Sequence, residues 1–153
     1  MTLSVGDVAP DFALRDQHGQ EVRLSSFAGQ KAVLVVFYPY AFSGVCTGEL
    51  TGFRDRLGDF ETDDTTLVAI SCDPIYTQRA FADRDGIFFP LLADYWPHGE
   101  VARAYGVFSE EVGCAFRATF VIDRQGIVVH KVVNGIGEAR DHSGTRKAVA
   151  ALA

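Results

Sequence analysis

The chain is short of cysteine, lysine and long apolar runs, and each shortage excludes a class of protein. Its three cysteines, Cys46, Cys72 and Cys114, are an odd number at wide spacing. They do not make a disulfide framework, and they point to a reducing compartment, expected to be the cytoplasm. Of 14 basic residues only three are lysine, and no basic block exists in a chain of net charge −6. That balance argues against nucleic acid as a partner. No apolar run reaches membrane-spanning length and no charged-then-apolar leader is present, so neither a membrane span nor a secretory signal is expected. The four histidines, His18, His98, His130 and His142, include no pair at helical ligand spacing, so a zinc or iron site is not expected. Gly44-Val45-Cys46-Thr47-Gly48 lacks the lysine and the length of a phosphate-binding loop. No cofactor is expected.

What is present reads as one globular domain over residues 1–153, with 48% hydrophobic and 22% charged residues and no repeat or linker. Asp11 to Leu24 suggests a hairpin or irregular edge around His18-Gly19. Ala32 to Tyr38 is a continuous β-branched and aromatic run, the pattern of a strand buried on both faces, and Pro39 ends it. Leu50, Phe53, Leu57 and Phe60 recur at helical spacing and predict a helix from about Gly44 to about Gly58, with Phe53 and Phe60 in its core. A strand at Thr66–Ser71, a helix at Tyr76–Arg84, a weaker strand at Phe89–Leu92 and a short helix at Glu100–Tyr105 follow. Arg117–Ile122 and Ile127–Val133 form a hairpin across Asp123-Arg124-Gln125-Gly126, and Asp141–Leu152 is a C-terminal helix. This order predicts an α/β, thioredoxin-like fold, a central mixed sheet flanked by helices.

Cys46 stands where the first buried strand passes, through a short loop, into the first turn of a helix. Unpaired N–H groups and a partial positive charge there favour a thiolate. The helix end contributes roughly 0.3–1 kcal/mol, or about 2 when partly buried. Lowering a thiol pKa by ~2–3 units takes about 3–4 kcal/mol. A cation or further hydrogen bonds must supply the difference.

Pro39-Tyr40-Ala41-Phe42-Ser43-Gly44-Val45-Cys46-Thr47-Gly48-Glu49 resembles the peroxiredoxin signature, Pro-x-x-x-Thr/Ser-x-x-Cys. Ala9-Pro10-Asp11-Phe12, Phe89–Asp94, Ala104–Val107 and Arg117–Asp123 follow the family in the expected order. The wording around Cys46 and across Asp94–Gly99 is similar to the one-cysteine, E-type alkyl hydroperoxide reductases. The resemblance implies a thiol-dependent peroxidase acting on hydrogen peroxide and organic hydroperoxides. It implies Cys46 as the peroxidatic nucleophile, Arg117 as the missing cation, and Ser43 orienting the peroxide oxygens. Pro39 would shield the thiolate, and Glu49 would fix the arginine. Ser43 departs from the usual Thr; the hydroxyl survives, but the methyl that limits its rotamers is lost. The resemblance also implies an external thiol reductant, mycothiol, mycoredoxin or a thioredoxin-like protein, and a homodimer or higher homo-oligomer.

Blander readings stand beside these. Arg117 alone would be a solvated edge charge, and Ser43 alone a helix cap, a role compatible with peroxide contact. Cys72 and Cys114 are expected in or beside buried strands. The resemblance implies that a resolving cysteine would stand at position 51 or in the tail after Asn134; here position 51 is Thr51 and that tail holds no cysteine, so a one-cysteine mechanism is expected. Trp96 is either an interface residue or a loop anchor. The competing function is a thioredoxin-like thiol–disulfide oxidoreductase. Such enzymes place a second cysteine three residues away, where this chain has Ser43 and Glu49, and a proline before the facing strand, where it has none. A redox-switched chaperone is a third reading.

Overall fold

A strand apolar at every position needs cover on both faces. The computed structural model, which describes residues 3–152, opens with a hairpin of β1 (Ala13–Arg15) and β2 (Glu21–Arg23). There follow β3 (Ala32–Phe37), α1 (Gly44–Asp55), β4 (Thr65–Ser71), α2 (Ile75–Asp85), β5 (Leu91–Ala93) and α3 (Glu100–Ala104). The chain closes with β6 (Phe108–Ser109), β7 (Cys114–Ala115), β8 (Arg117–Ile122), β9 (Val128–Asn134) and α4 (Ser143–Ala150). Five strands form a mixed sheet in the order β5-β4-β3-β8-β9. β3, β4 and β5 run parallel, while β8 and β9 are antiparallel to their neighbours.

β3 lies in the middle, wholly buried, and its alternating side chains serve two cores. Val33, Val35 and Phe37 join the core of Phe12, Tyr105 and Phe120; the Phe37, Tyr105 and Phe120 rings meet one another at 5.3–5.9 Å, and Phe12 meets Tyr105 at 6.3 Å. Leu34, Val36 and Tyr38 join the core beneath α1 and α2, with Leu50, Phe53 and Phe81. Each such side chain contributes about 1.5–3 kcal/mol on burial.

The structure departs from the sequence reading at several places. The helix after Cys46 ends at Asp55, and Leu57–Asp59 is a 3₁₀ turn. Phe60 therefore lies off the helix, yet its ring packs on Phe53 at 5.0 Å, so the turn prolongs the apolar spacing without prolonging the helix. The β6–β7 hairpin was not legible, because two residues per strand carry no periodicity. The C-terminal helix starts at Ser143: the Asp141 carboxylate binds the Ser143 N–H and hydroxyl and turns the chain first. His142, in a polar stretch of sequence, is half-buried against Phe53 at 4.6 Å.

Candidate active site

Ser43 caps α1: its Oγ accepts the Cys46 N–H at 3.2 Å, which places the sulfur in the first turn. Cys46 has no exposed surface. Pro39 is buried at the head of the loop, and Ser43 is half-buried. Asp73 fixes the loop from below by accepting the Ala41 N–H at 2.8 Å. Phe42 has φ +70°, a left-handed conformation that costs a non-glycine residue about 1–3 kcal/mol.

Arg117, the first residue of β8, reaches the sulfur because β8 pairs with β3 in a register that sets Ala118 opposite Phe37. Its Nη1 lies 3.2 Å from Cys46 Sγ and 2.8 Å from Glu49 Oε1, and its Nε donates to the Ile136 carbonyl at 2.6 Å. Nη2 has no protein acceptor among the described residues and is not sealed from solvent. Arg117 is 2% exposed, so this is a buried cation rather than an edge charge.

Glu49 lies one turn beyond Cys46 on the buried face of α1. Besides Arg117 it binds Arg140, which sequence reasoning missed. Glu49 Oε2 accepts the Arg140 N–H at 2.8 Å and Nε–H at 3.0 Å, and Oε1 accepts from Nη2 at 3.2 Å. The remaining Arg140 donors go to the Ala118 and Phe37 carbonyls and to Thr119 Oγ1, at 2.7–3.0 Å. All five guanidinium donors are thereby used. Burial pushes the Glu49 carboxyl up, but the charge and hydrogen bonds of Arg140, with Arg117, outweigh it and hold the group below its ordinary value. Arg140 sits in the polar stretch Gly137-Glu138-Ala139-Arg140-Asp141, which has no pattern of its own. The available signal was Glu49: a carboxylate on a buried helix face has more acceptor sites than one arginine fills.

The other two thiols differ in kind. Burial pushes Cys72 up to about 12 and raises Cys114 as well. A cavity of about 640 Å³ beside α1, lined by Gly48, Glu49, Phe53, Arg140 and His142, runs behind the ion pairs and does not include Cys46.

Residues 5–131 match the AhpC/TSA family. Alkyl hydroperoxide reductase E of Mycobacterium tuberculosis is 51% identical over 150 residues, 98% of each chain. Among solved structures, peroxidoxin BcpB from Mycobacterium tuberculosis superposes with a TM-score of 0.83 at 35% identity, covering 98% of this chain and 96% of that one. A peroxiredoxin-like protein from Aquifex aeolicus, at 22% identity and TM-score 0.89, covers all of this chain and 90% of its own, and shows the shared thioredoxin-like fold. Likeness of this extent, on a chain that sets a cysteine in the first turn of a helix beside a buried arginine, makes the protein a member of the AhpC/TSA family, the thiol-dependent peroxidases known as peroxiredoxins.

Proposed function

We propose that the protein reduces hydrogen peroxide and organic hydroperoxides through a sulfenic acid on Cys46. The observation that carries this reading is Arg117, whose Nη1 lies 3.2 Å from Cys46 Sγ while its Nη2 stays free for a peroxide oxygen. Cys46, Glu49, Arg117 and Arg140 form a buried cluster with two cations. An ionised Glu49 and a Cys46 that attacks as thiolate balance those two cations, so the cluster carries no net charge in the attacking state. The thiolate attacks the terminal oxygen in line, the O–O bond breaks, and the alkoxide or hydroxide leaves and takes up a proton. Ser43, whose oxygen accepts from Cys46 N–H, keeps its own proton to donate to the peroxide. Pro39 shields the sulfur, and Glu49 orients Arg117.

The mechanism is a one-cysteine one. Cys72 and Cys114 are buried and protonated at neutral pH, so both are poor nucleophiles. An external thiol, mycothiol, mycoredoxin or a thioredoxin-like protein, forms a mixed disulfide with Cys46 and expels water, and a second thiol releases it. Residues 1–153 act as one domain in the cytoplasm, assembled as a homodimer or higher homo-oligomer. The test is mass spectrometry after one equivalent of peroxide with a sulfenic-acid trap. An adduct on Cys46, with Cys72 and Cys114 still alkylatable, is the expected result. A quantitative disulfide to either cysteine defeats the one-cysteine mechanism. Unchanged peroxide turnover in Cys46→Ser defeats the assignment.

A further inference from the structure

Phe42 stands between Ala41 and Ser43 in the loop from β3 to α1. It is the one non-glycine residue with positive φ among the described residues. Backbone strain persists only where the surroundings hold it, and two fastenings converge on this residue.

From beneath, Asp73 Oδ2 accepts the Ala41 N–H at 2.8 Å and the Ser71 hydroxyl at 2.7 Å. Ser71 Oγ accepts in turn from Gln78 Nε2 at 2.7 Å, and Gln78 Oε1 accepts from the Tyr38 hydroxyl. The chain of hydrogen bonds thus closes on the residue that opens the loop. From outside, the guanidinium carbon of Arg84 lies 4.7 Å above the centre of the Phe42 ring, which packs on Phe81 at 5.3 Å. Arg84 Nη2 also donates to Thr47 Oγ1 at 3.3 Å, on the residue after Cys46, and Asp85 holds the guanidinium at 2.8 Å.

We propose that Asp73 and Arg84 are positioning residues for peroxide reduction, holding Phe42 in its left-handed conformation so that Ser43 and Cys46 stay aligned with Arg117. The claim rests on the peroxidase reading of Cys46. Neither residue bonds to the sulfur. Their work is geometric: Ser43 and Arg117 must meet one peroxide oxygen, and small misplacements of reacting groups cost large factors in rate. Release of either fastening lets Phe42 relax, moves Ser43 and uncovers a sulfur that is otherwise wholly buried.

Two rates should therefore move in opposite directions. In Arg84→Ala and Asp73→Ala, the second-order rate with hydrogen peroxide falls about three- to thirtyfold, while maleimide labelling of Cys46 rises by a similar factor. Labelling is followed by peptide mass spectrometry to separate Cys46 from Cys72 and Cys114. Arg84→Lys recovers part of both changes, because an ammonium keeps the charge over the ring. Phe42→Gly adopts the same φ without strain, so in that background Arg84→Ala has a smaller effect on labelling. Folded Arg84→Ala and Asp73→Asn with both rates within about twofold of wild type, or with both rates falling together, overturn the proposal. Should Asp73→Ala not fold, Arg84→Ala and Asp73→Asn decide alone. Failure of the wild type to consume any hydroperoxide would sink the peroxidase reading, whereas the labelling arm reports on the fastening without activity.

Discussion

At the scale of single residues, what separates Cys46 from the other two cysteines is the company of two buried arginines that share one carboxylate. Arg117 contacts the sulfur and Arg140 does not, so their substitutions should separate. Arg117→Ala should slow peroxide reduction by about a hundredfold or more, the loss seen when one charge-stabilising donor is removed. An unchanged second-order rate with hydrogen peroxide would remove Arg117 as the sulfur's partner. Arg140→Met should act first on stability. It leaves the buried Glu49 carboxylate with Arg117 as its remaining charged partner, and losing a partner from a buried ion cluster costs up to about 3–5 kcal/mol, measurable by urea unfolding. The sign of the pH dependence follows from Glu49. Its folded-state value is lowered, so its contribution is full above the ordinary carboxylate range and is lost as pH falls through the lowered value. Arg140→Met should move the acid limb of unfolding to higher pH.

At the scale of elements, the segment between Arg140 and α4 packs against the end of α1 and the turn after it. His142 sets its ring against Phe53 and Phe60 at 4.6 and 6.5 Å, with Nδ1 buried and unpartnered. Burial, and then the nearby Arg140, hold this imidazole below its ordinary value. A lowered value means that the stability is complete above about pH 6.5 and is lost as pH falls through the folded-state value. His142→Phe keeps the ring packing and removes the buried, unsatisfied nitrogen. The variant should be at least as stable at pH 7, and its advantage should grow toward pH 5. Paired unfolding curves at the two pH values check this, and a constant difference would remove His142 from the acid response.

At the scale of the whole molecule, the homo-oligomer proposed above would bury the exposed aromatic surface. Tyr76 and Trp96 are 86% and 83% exposed and share a groove with Tyr95 and Arg15, while Tyr40 and Val112 lie exposed beside the catalytic loop. Isolated apolar residues at a surface are ordinary, but several large rings in one groove are what an interface buries. Sedimentation should find a dimer or larger assembly for the wild type, and Trp96→Ala with Tyr76→Ala should shift it toward monomer. A monomeric wild type at micromolar concentration would dismiss the assembly. At 83% exposure Trp96 is not packed as a loop anchor would be, which leaves the interface role of the two its sequence context allowed.

The amino-acid sequence by itself determined whatever depends on neighbours along the chain. Alternating apolar runs and helical spacings specify strands and helices because burial and backbone geometry act over a few residues. Ser43 and Cys46 share a motif because a cap and the third residue of its helix are bonded locally. Tertiary structure decided the rest. Arg117 is 71 residues from Cys46 and meets it only through the β3–β8 register, and the signature pointed to it by family likeness rather than by physics. Arg140, 91 residues from Glu49, has no local pattern; its role appears only once the sheet and α1 enclose it and every donor must find an acceptor. The strain at Phe42 was equally hidden. A backbone angle held against its preference is imposed by distant partners, here Asp73 and Arg84, and no local spacing of residue types records it.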